Sequence, residues 1–485
     1  MHLLVLIVTL GVLMIPVGDL KSAKPTGAGD LDAKPIKVED VCSLRGNEEF
    51  PSVSPLQNVQ VKTEDSGLCQ PAEEKPELPE QDVTEAVNMT RIKDEIKSNL
   101  RWIRWTEYTS YAKEMFKANK WESVQEELIS VASYNVLSQV LLEQHRYLYK
   151  NHDERSLKWK SRSLVLLEEF ANLNADILCL QEVDSSLIST FYNYHLEKLG
   201  YQGIYKRRTN DKVDGCAMYF KKDKFNLVQH LTVELYKPSV YLLNRDNIGI
   251  ILKLSLKSKP EVEFIVATTH LLYNPKRGDI RLVQTQLMLA EIEKMAYMKE
   301  NSLTQQPDYL PIILTGDMNY SPDNGVYQLV TTGFLEYEGV SSECLLPSLR
   351  GHILNKTLLP PQLGITDSCQ YVASLSKRGK CKSLSFSSGV LDHQLNLESA
   401  YDHDKSNFPE ATTNQNRWVT VDYIFYSQIW DENMKLRTEG SLKLVSRLTL
   451  PNSQEAEAFL KHIPNFACGS DHFPLMATFQ VKGKR

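Results

Sequence analysis

Six short polar clusters, each at the end of an apolar run, stand out along the later part of this chain: Ser133-Tyr134-Asn135, Gln181-Glu182, Thr268-Thr269-His270, Gly316-Asp317-Met318-Asn319, Val421-Asp422-Tyr423 and Gly469-Ser470-Asp471-His472. Carboxylates offer hard oxygens to a divalent cation and can accept a proton, imidazoles titrate near neutrality, and amides can hold either group in place. Strand ends are where layered scaffolds present functional side chains, so the set suits metal-assisted acid–base chemistry. Taken singly each cluster has a plainer reading: Gly-Asp-x-Asn is commonly a turn, and a lone histidine is commonly core or surface. Their number and order carry the argument.

The elements that must position these clusters begin at about Trp121, where short β-rich runs alternate with helical stretches. The patterning predicts strands over Ile129–Val136, Asp176–Leu180, Gly215–Phe220, Ile248–Leu256, Val262–Thr269, Leu310–Thr315, Val419–Tyr426 and Pro474–Val481. It predicts helices over Trp159–Asn172, with Leu164, Leu167 and Phe170 on the apolar side, and over Arg281–Met298. Many strands with few helices indicate an α/β (α+β layered) domain, residues 121–485, in which two packed β-sheets are flanked by helices. Residues 341–416 are irregular and rich in Ser, Leu, Gly and Asn, and read as a long insertion or substrate-side loop.

Ahead of this domain, residues 21–120 read as an acidic, disordered tail. Residues 25–100 hold seven prolines, a single aromatic (Phe50), and 16 Asp and Glu against 8 Lys and Arg. Such a segment buries too little apolar surface to offset its ordering entropy. It carries a net −8 within a chain of net −6, which leaves the remainder at about +2. A near-neutral body has no bulk signature of nucleic-acid binding, so contact with such a ligand must come from local patches. Residues 1–20 contain the apolar run Leu3–Met14, which reads as a signal or anchor and leaves a secretory or membrane-anchored fate open; unless it is retained, no stable membrane association is expected. The eight cysteines are scattered without a CxxC pair, which argues for free thiols and against a zinc site.

The ordered clusters resemble the endonuclease/exonuclease/phosphatase superfamily, whose fold is DNase I-like. Thr269-His270-Leu271-Leu272-Tyr273-Asn274-Pro275 and Val421-Asp422-Tyr423-Ile424-Phe425 resemble its deadenylase branch. Tyr134-Asn135-Val136-Leu137-Ser138-Gln139, Lys206-Arg207-Arg208 with Asp214-Gly215-Cys216-Ala217, and Lys276-Arg277-Gly278-Asp279-Ile280 are similar to the Angel family. This resemblance implies a phosphoesterase acting on RNA 3′ ends, either removing a terminal 2′,3′-cyclic phosphate or trimming 3′ to 5′. The cofactor it implies is Mg²⁺, with Mn²⁺ as the alternative. Glu182 would ligate the metal, with Asn135 on the metal's water shell or the phosphate; Asp317 would activate water, with Asn319 beside it; His472 and His270 would donate to phosphate oxygens. Asp422 and Asp471 would orient a histidine, and Asp471 has metal ligation as its other reading. Lys206, Arg207 and Arg208 form the sharpest basic run and read as a phosphate-contact patch, and Tyr273 as a stacking platform for a base. RNA work implies the cytoplasm or nucleus, with the tail available to an mRNA-decay or translation-factor partner. The competing reading is a non-catalytic RNA-binding adaptor that keeps the fold.

Overall fold

Apolar residues occupy both registers of the central strands, so both faces of each sheet must be covered. In the computed structural model, Ile129 and Val131 belong to a core shared with Ile250, Leu252, Val266 and Ile424 of the opposing sheet, while Ala132 and Tyr134 pack with Leu166 and Phe170 of an outer helix. The structure describes residues 104–483 apart from 303–304, 349, 381–383, 404–408 and 432–433, with 90, 91, 93, 94, 97 and 98 ahead of them. The apolar run in residues 1–20 and most of the expected tail lie outside the described residues.

The strands of the two sheets are β1 (Thr106–Tyr108), β2 (Leu128–Asn135), β3 (Ile177–Asp184), β4 (Tyr201–Arg207), β5 (Asp214–Lys221), β6 (Phe225–Glu234), β7 (Ile248–Leu256), β8 (Glu263–His270), β9 (Ile312–Asp317), β10 (Leu397–Ser399), β11 (Asp422–Ser427), β12 (Leu442–Leu448) and β13 (Leu475–Val481). One sheet runs β1-β12-β13-β2-β3-β5-β4 and the other β10-β11-β9-β8-β7-β6. Each has a central parallel pair, β2 with β3 and β8 with β9, flanked by antiparallel partners. That shared arrangement positions the polar clusters. The parallel pairs end with Asn135 beside Gln181 and with His270 beside Asp317. In the antiparallel neighbours, β11 starts at Asp422 opposite Asp317 and β13 starts three residues after His472.

Four helices matter to the argument: α1 (Ser110–Lys117), α2 (Trp159–Leu173), α3 (Gly278–Ala296) and α4 (Gly325–Thr332). The fold starts before Trp121. β1 pairs with β12, Thr109 caps α1 by accepting from the Ala112 N–H, and Phe116 stacks on Trp121 at 4.1 Å. On α2 the buried face is Arg162, Val165, Leu166 and Phe170, and Leu164 is 65% exposed. Of the expected positions Phe170 and Leu167 face the core and Leu164 does not, because Arg162, Val165 and Leu166 take that side of the helix.

The segment 341–416 is more than a loop. Leu354, Leu358, Ile365, Leu391 and Leu397 join the core formed by α3 and the outer face of β8, and β10 extends the sheet beside β11. Burying side chains of this size contributes about 1.5–3 kcal/mol each, so these positions anchor the described parts of the segment to the core. Spaced leucines in irregular backbone have no period, which is why the pattern concealed them.

Candidate active site

Glu182 reaches the cleft through a break in strand pairing. The register between β3 and β5 shifts between Leu180 and Val183, and Glu182 adopts φ +56°, a left-handed conformation that is uncommon outside glycine and recurs at functional sites. Gln181 anchors the bulge by donating from Nε2 to Thr268 Oγ1 at 2.9 Å, which ties one sheet to the other directly beneath the site. Asn135 then bridges the two sheets. Its Nδ2 donates to Glu182 Oε1 at 3.1 Å and to Asp317 Oδ2 at 2.9 Å, and its Oδ1 accepts from the Leu137 N–H. In this network Asn135 holds the two carboxylates at a fixed separation, and its Oδ1 keeps one lone pair for the metal's water shell or the phosphate.

Asp317 is the hub. Its Oδ2 lies 3.5 Å from His270 Nε2 and 3.8 Å from His472 Nε2. Gly316 makes the approach of β9 to β8 possible, since it sits at φ +143° and a Cβ there would lie 2.0 Å from the Thr269 carbonyl oxygen. Burial and the neighbouring Asp422 charge push the Asp317 carboxyl upward, toward the proton-accepting range. The two histidines differ. His472 Nδ1 is 2.8 Å from Asp422 Oδ2, and although burial opposes its charge, Asp422, Asp317 and Asp471 outweigh burial and hold it well above the ordinary histidine value. Burial first, and then the Arg208 guanidinium, hold His270 down to about 4. One imidazole is therefore a charged donor and the other a neutral one.

Asn319 lies past the end of β9 rather than in line with Asp317. It adopts φ +53°, its N–H donates to Asp317 Oδ1 and its Nδ2 donates to the Leu271 carbonyl at 3.1 Å, so it secures the loop after His270. Among the described residues, Asp471 makes no hydrogen bond to a histidine. Its Oδ2 accepts from Tyr149 Oη at 2.8 Å, and its charge raises Glu182. That leaves Asp422 as the histidine-orienting carboxylate and places Asp471 with Glu182.

Three residues of the site escaped the sequence reading. Tyr149 is one. Asp184 is another: it accepts from Ser138 Oγ and from the Gln139 N–H at 2.8 Å, fixing the loop after Asn135. Arg162, fully buried, donates to the carbonyls of Val136, Leu137 and Gly469 at 2.6–2.7 Å and to Gln139 Oε1 at 2.8 Å. One guanidinium thereby joins the loop after β2 to the loop before His472. An inward-facing arginine in a helix of mixed polarity leaves no sequence signal.

At the rim the basic run divides. Arg208 forms a forked pair with Asp214 and faces His270. Lys206 pairs with Glu234, and Arg207 donates to the Lys212 carbonyl. Of the expected three-residue patch, Arg208 is thus drawn to the buried Asp214, while Lys206 and Arg207 are held by Glu234 and the Lys212 carbonyl. Tyr273 is 57% exposed, and burial of its hydroxyl, followed by the charges of Tyr147, Asp471 and Asp317, raises its pKa.

The donor set fits a hard divalent cation at Glu182 and Asp471. Both are half-buried, burial and then the Asp471 charge raise Glu182, and among the described residues neither has a Lys or Arg ion-pair partner. Asp317, Asp422 and His472 also bring ligand atoms within 4.8 Å of one another. That trio is already closed by the Asp422–His472 bond, and a cation there would have to break it. Oxygen ligands without an internal hydrogen bond are the better match to Mg²⁺ or Mn²⁺.

Comparison with known proteins agrees with this geometry. The model of the Endonuclease/Exonuclease/phosphatase family matches residues 132–472. Protein angel homolog 2 from Bos taurus is 38% identical over 383 residues, covering 73% of this chain and 69% of that protein, and Protein angel homolog 1 from Homo sapiens is 33% identical, covering 73% and 63%. A crystal structure of ANGEL2, a 2′,3′-cyclic phosphatase, in complex with adenosine-2′,3′-vanadate is 36% identical with a TM-score of 0.65, covering 78% of this chain and 98% of that one. With the bulged glutamate, the histidine–aspartate pair and the cross-sheet asparagine in place, the chain belongs to the endonuclease/exonuclease/phosphatase family, in its Angel branch.

Proposed function

We propose that this chain removes terminal 2′,3′-cyclic phosphates from RNA 3′ ends in a reaction that requires Mg²⁺ or Mn²⁺. The observation that carries this reading is Asp317 held between a charged His472 and a neutral His270, 3.8 and 3.5 Å away. Asp317 takes a proton from the attacking water as the water oxygen bonds to phosphorus. His472 and His270 donate to the non-bridging oxygens as charge builds on them, and Asp422 holds the His472 charge in place. One ribose–phosphorus bond opens in the first round, and its oxygen leaves protonated. A second water breaks the remaining bond and releases inorganic phosphate, leaving a 2′,3′-diol. A cation held by Glu182 and Asp471 would neutralise phosphate charge and assist the leaving oxygen. Buried polar atoms without protein partners cluster around this cleft, His270 Nδ1, Asp214 Oδ2 and Asp422 Oδ1 among them, which supports a polar occupant. An RNA substrate puts the work in the cytoplasm or nucleus, with the tail as the segment that recruits a decay or translation partner.

The test incubates the purified full chain, with Mg²⁺, Mn²⁺ or EDTA, with one labelled RNA ending in a 2′,3′-cyclic phosphate and another ending in adenosines with a free 3′-hydroxyl. Cation-dependent loss of the cyclic phosphate without shortening, abolished in Glu182→Ala, is expected. A ladder on the second RNA alone would replace the phosphatase with the exonuclease reading. Inertness toward both would leave an RNA-binding adaptor.

A further inference from the structure

We infer that a cavity beside the catalytic cleft is a stacking subsite for a nucleobase one to three nucleotides upstream of the reacting 3′ end; this rests on the RNA reading above. The cavity holds about 390 Å³, within the range of sites that take one small ligand, and Val240, Tyr241, His352, Leu354, Asn355 and Leu358 line it. Its walls are tied to the catalytic edge. The β6–β7 loop that carries Tyr241 ends at Asn247, whose Nδ2 donates to the His270 carbonyl at 2.9 Å. The inserted segment that carries His352 meets the first turn of α3, where the Asp279 N–H donates to the Ser342 carbonyl and a Cβ on Gly278 would lie 2.3 Å from the Glu343 oxygen. The loop leaving His270 runs through Tyr273 to Arg277. From Tyr273 to Arg277, four residues span at most about 14 Å between Cα atoms, so a few nucleotides of chain reach from the Tyr273 rim of the cleft to this cavity.

The chemistry selects a base rather than a phosphate. Arg277 lies over the Tyr241 ring, its Cζ 5.6 Å from the centroid, and Tyr241 is 71% exposed. The Arg277 charge is already spent. Its Nε and Nη2 donate to the two oxygens of Asp279 at 2.9 and 3.0 Å, and that carboxylate is fully buried. A guanidinium neutralised by a buried fork gives up its pull on anions and keeps its flat face. An exposed aromatic beside that face is the platform on which unstacked bases sit. His352 and Asn355 supply polar groups for the edge of the base, among apolar walls.

The test compares kcat/KM of the full chain on a hexanucleotide and a dinucleotide, both ending in a 2′,3′-cyclic phosphate, for wild type, Tyr241→Ala and Tyr241→Phe. Wild type prefers the hexanucleotide; Tyr241→Ala lowers the ratio of hexanucleotide to dinucleotide about tenfold, through KM, and Tyr241→Phe restores it. A hexanucleotide with one abasic upstream position loses the same preference on wild type and loses nothing more on Tyr241→Ala. If wild type is active and its ratio equals that of Tyr241→Ala, the subsite is overturned while the function stands. A wild-type chain inert on both RNAs overturns the function, and the subsite falls with it.

Discussion

At the floor of the cleft, Asn135, Glu182, Asp317, Asp422 and His472 are each fixed by a hydrogen bond to another member of the set. At the rim, Tyr147, Tyr241 and Tyr273 stand with 61%, 71% and 57% of their surfaces exposed. The floor is organised before substrate arrives, and that preorganisation is what stabilises charge developing in a transition state. The rim rings are exposed and touch substrate wherever it lies, so their contacts contribute to binding substrate and transition state alike. Substitutions at the floor should therefore appear in kcat and those at the rim in KM.

The largest effect that bears on this contrast is at Asp317. Asp317→Asn keeps the shape of the side chain and removes the proton acceptor, so kcat on the cyclic-phosphate RNA should fall about 10²–10⁴-fold with little change in KM. A loss under tenfold would take the base assignment away from Asp317 and with it the catalytic meaning of the floor. Next in size is Tyr149→Phe, which removes only the hydroxyl that holds Asp471 at 2.8 Å. If Asp471 faces the cation, the Mg²⁺ concentration for half-maximal rate should rise about 10–100-fold, with the rate at saturating Mg²⁺ largely recovered. An unchanged metal requirement would separate Asp471 from the cation and return it to a purely structural part.

The same contrast explains what could be read from the sequence. The strands that carry the floor were legible because they alternate in β-branched and apolar residues: Ile248–Leu256 was expected and is found, and β2, β3, β8 and β9 differ from expectation only at their ends. β4, β6 and β12 were not seen. Tyr-Gln-Gly-Ile-Tyr-Lys-Arg and Phe-Asn-Leu-Val-Gln-His-Leu carry polar residues on a half-exposed face, which weakens the pattern although pairing still forms them. The carboxylates and histidines that meet in the cleft were legible because polar groups interrupt apolar runs. Their supports were hidden, since Arg162, Tyr149 and Asp184 acquire meaning only when distant loops meet. The rim was hidden for the related reason that a basic run does not reveal which residue will meet a buried carboxylate.

That point has its own test at the rim. Arg208→Lys loses the forked pairing with Asp214 and its position beside His270, and should raise KM about tenfold. Lys206→Ala removes an exposed pair with Glu234 and should change KM no more than about twofold. Equal effects would restore the three-residue patch and blur the line between an inward arginine and outward neighbours.

The smallest effect concerns whether the inserted segment behaves as core or as rim. His393, in that segment, is buried with Nε2 2.9 Å from the Leu329 carbonyl of α4 while Nδ1 accepts from the Leu395 N–H, and burial holds its pKa down to about 4. The folded value lies below the unfolded value near 6.5, so the fold keeps the neutral ring. Its contribution is fully present above pH 6.5 and is lost as pH falls from 6.5 toward 4, by at most about 1.4 kcal/mol per pH unit for one proton. His393→Gln lacks that proton uptake. The Tm difference between wild type and His393→Gln should be constant above pH 6.5 and shrink by a few degrees by pH 5. A difference that stays flat down to pH 5 would mean that the ring is hydrated in the folded chain. The segment would then belong with the solvent-exposed rim, and the wall it gives the cavity would be hydrated rather than dry.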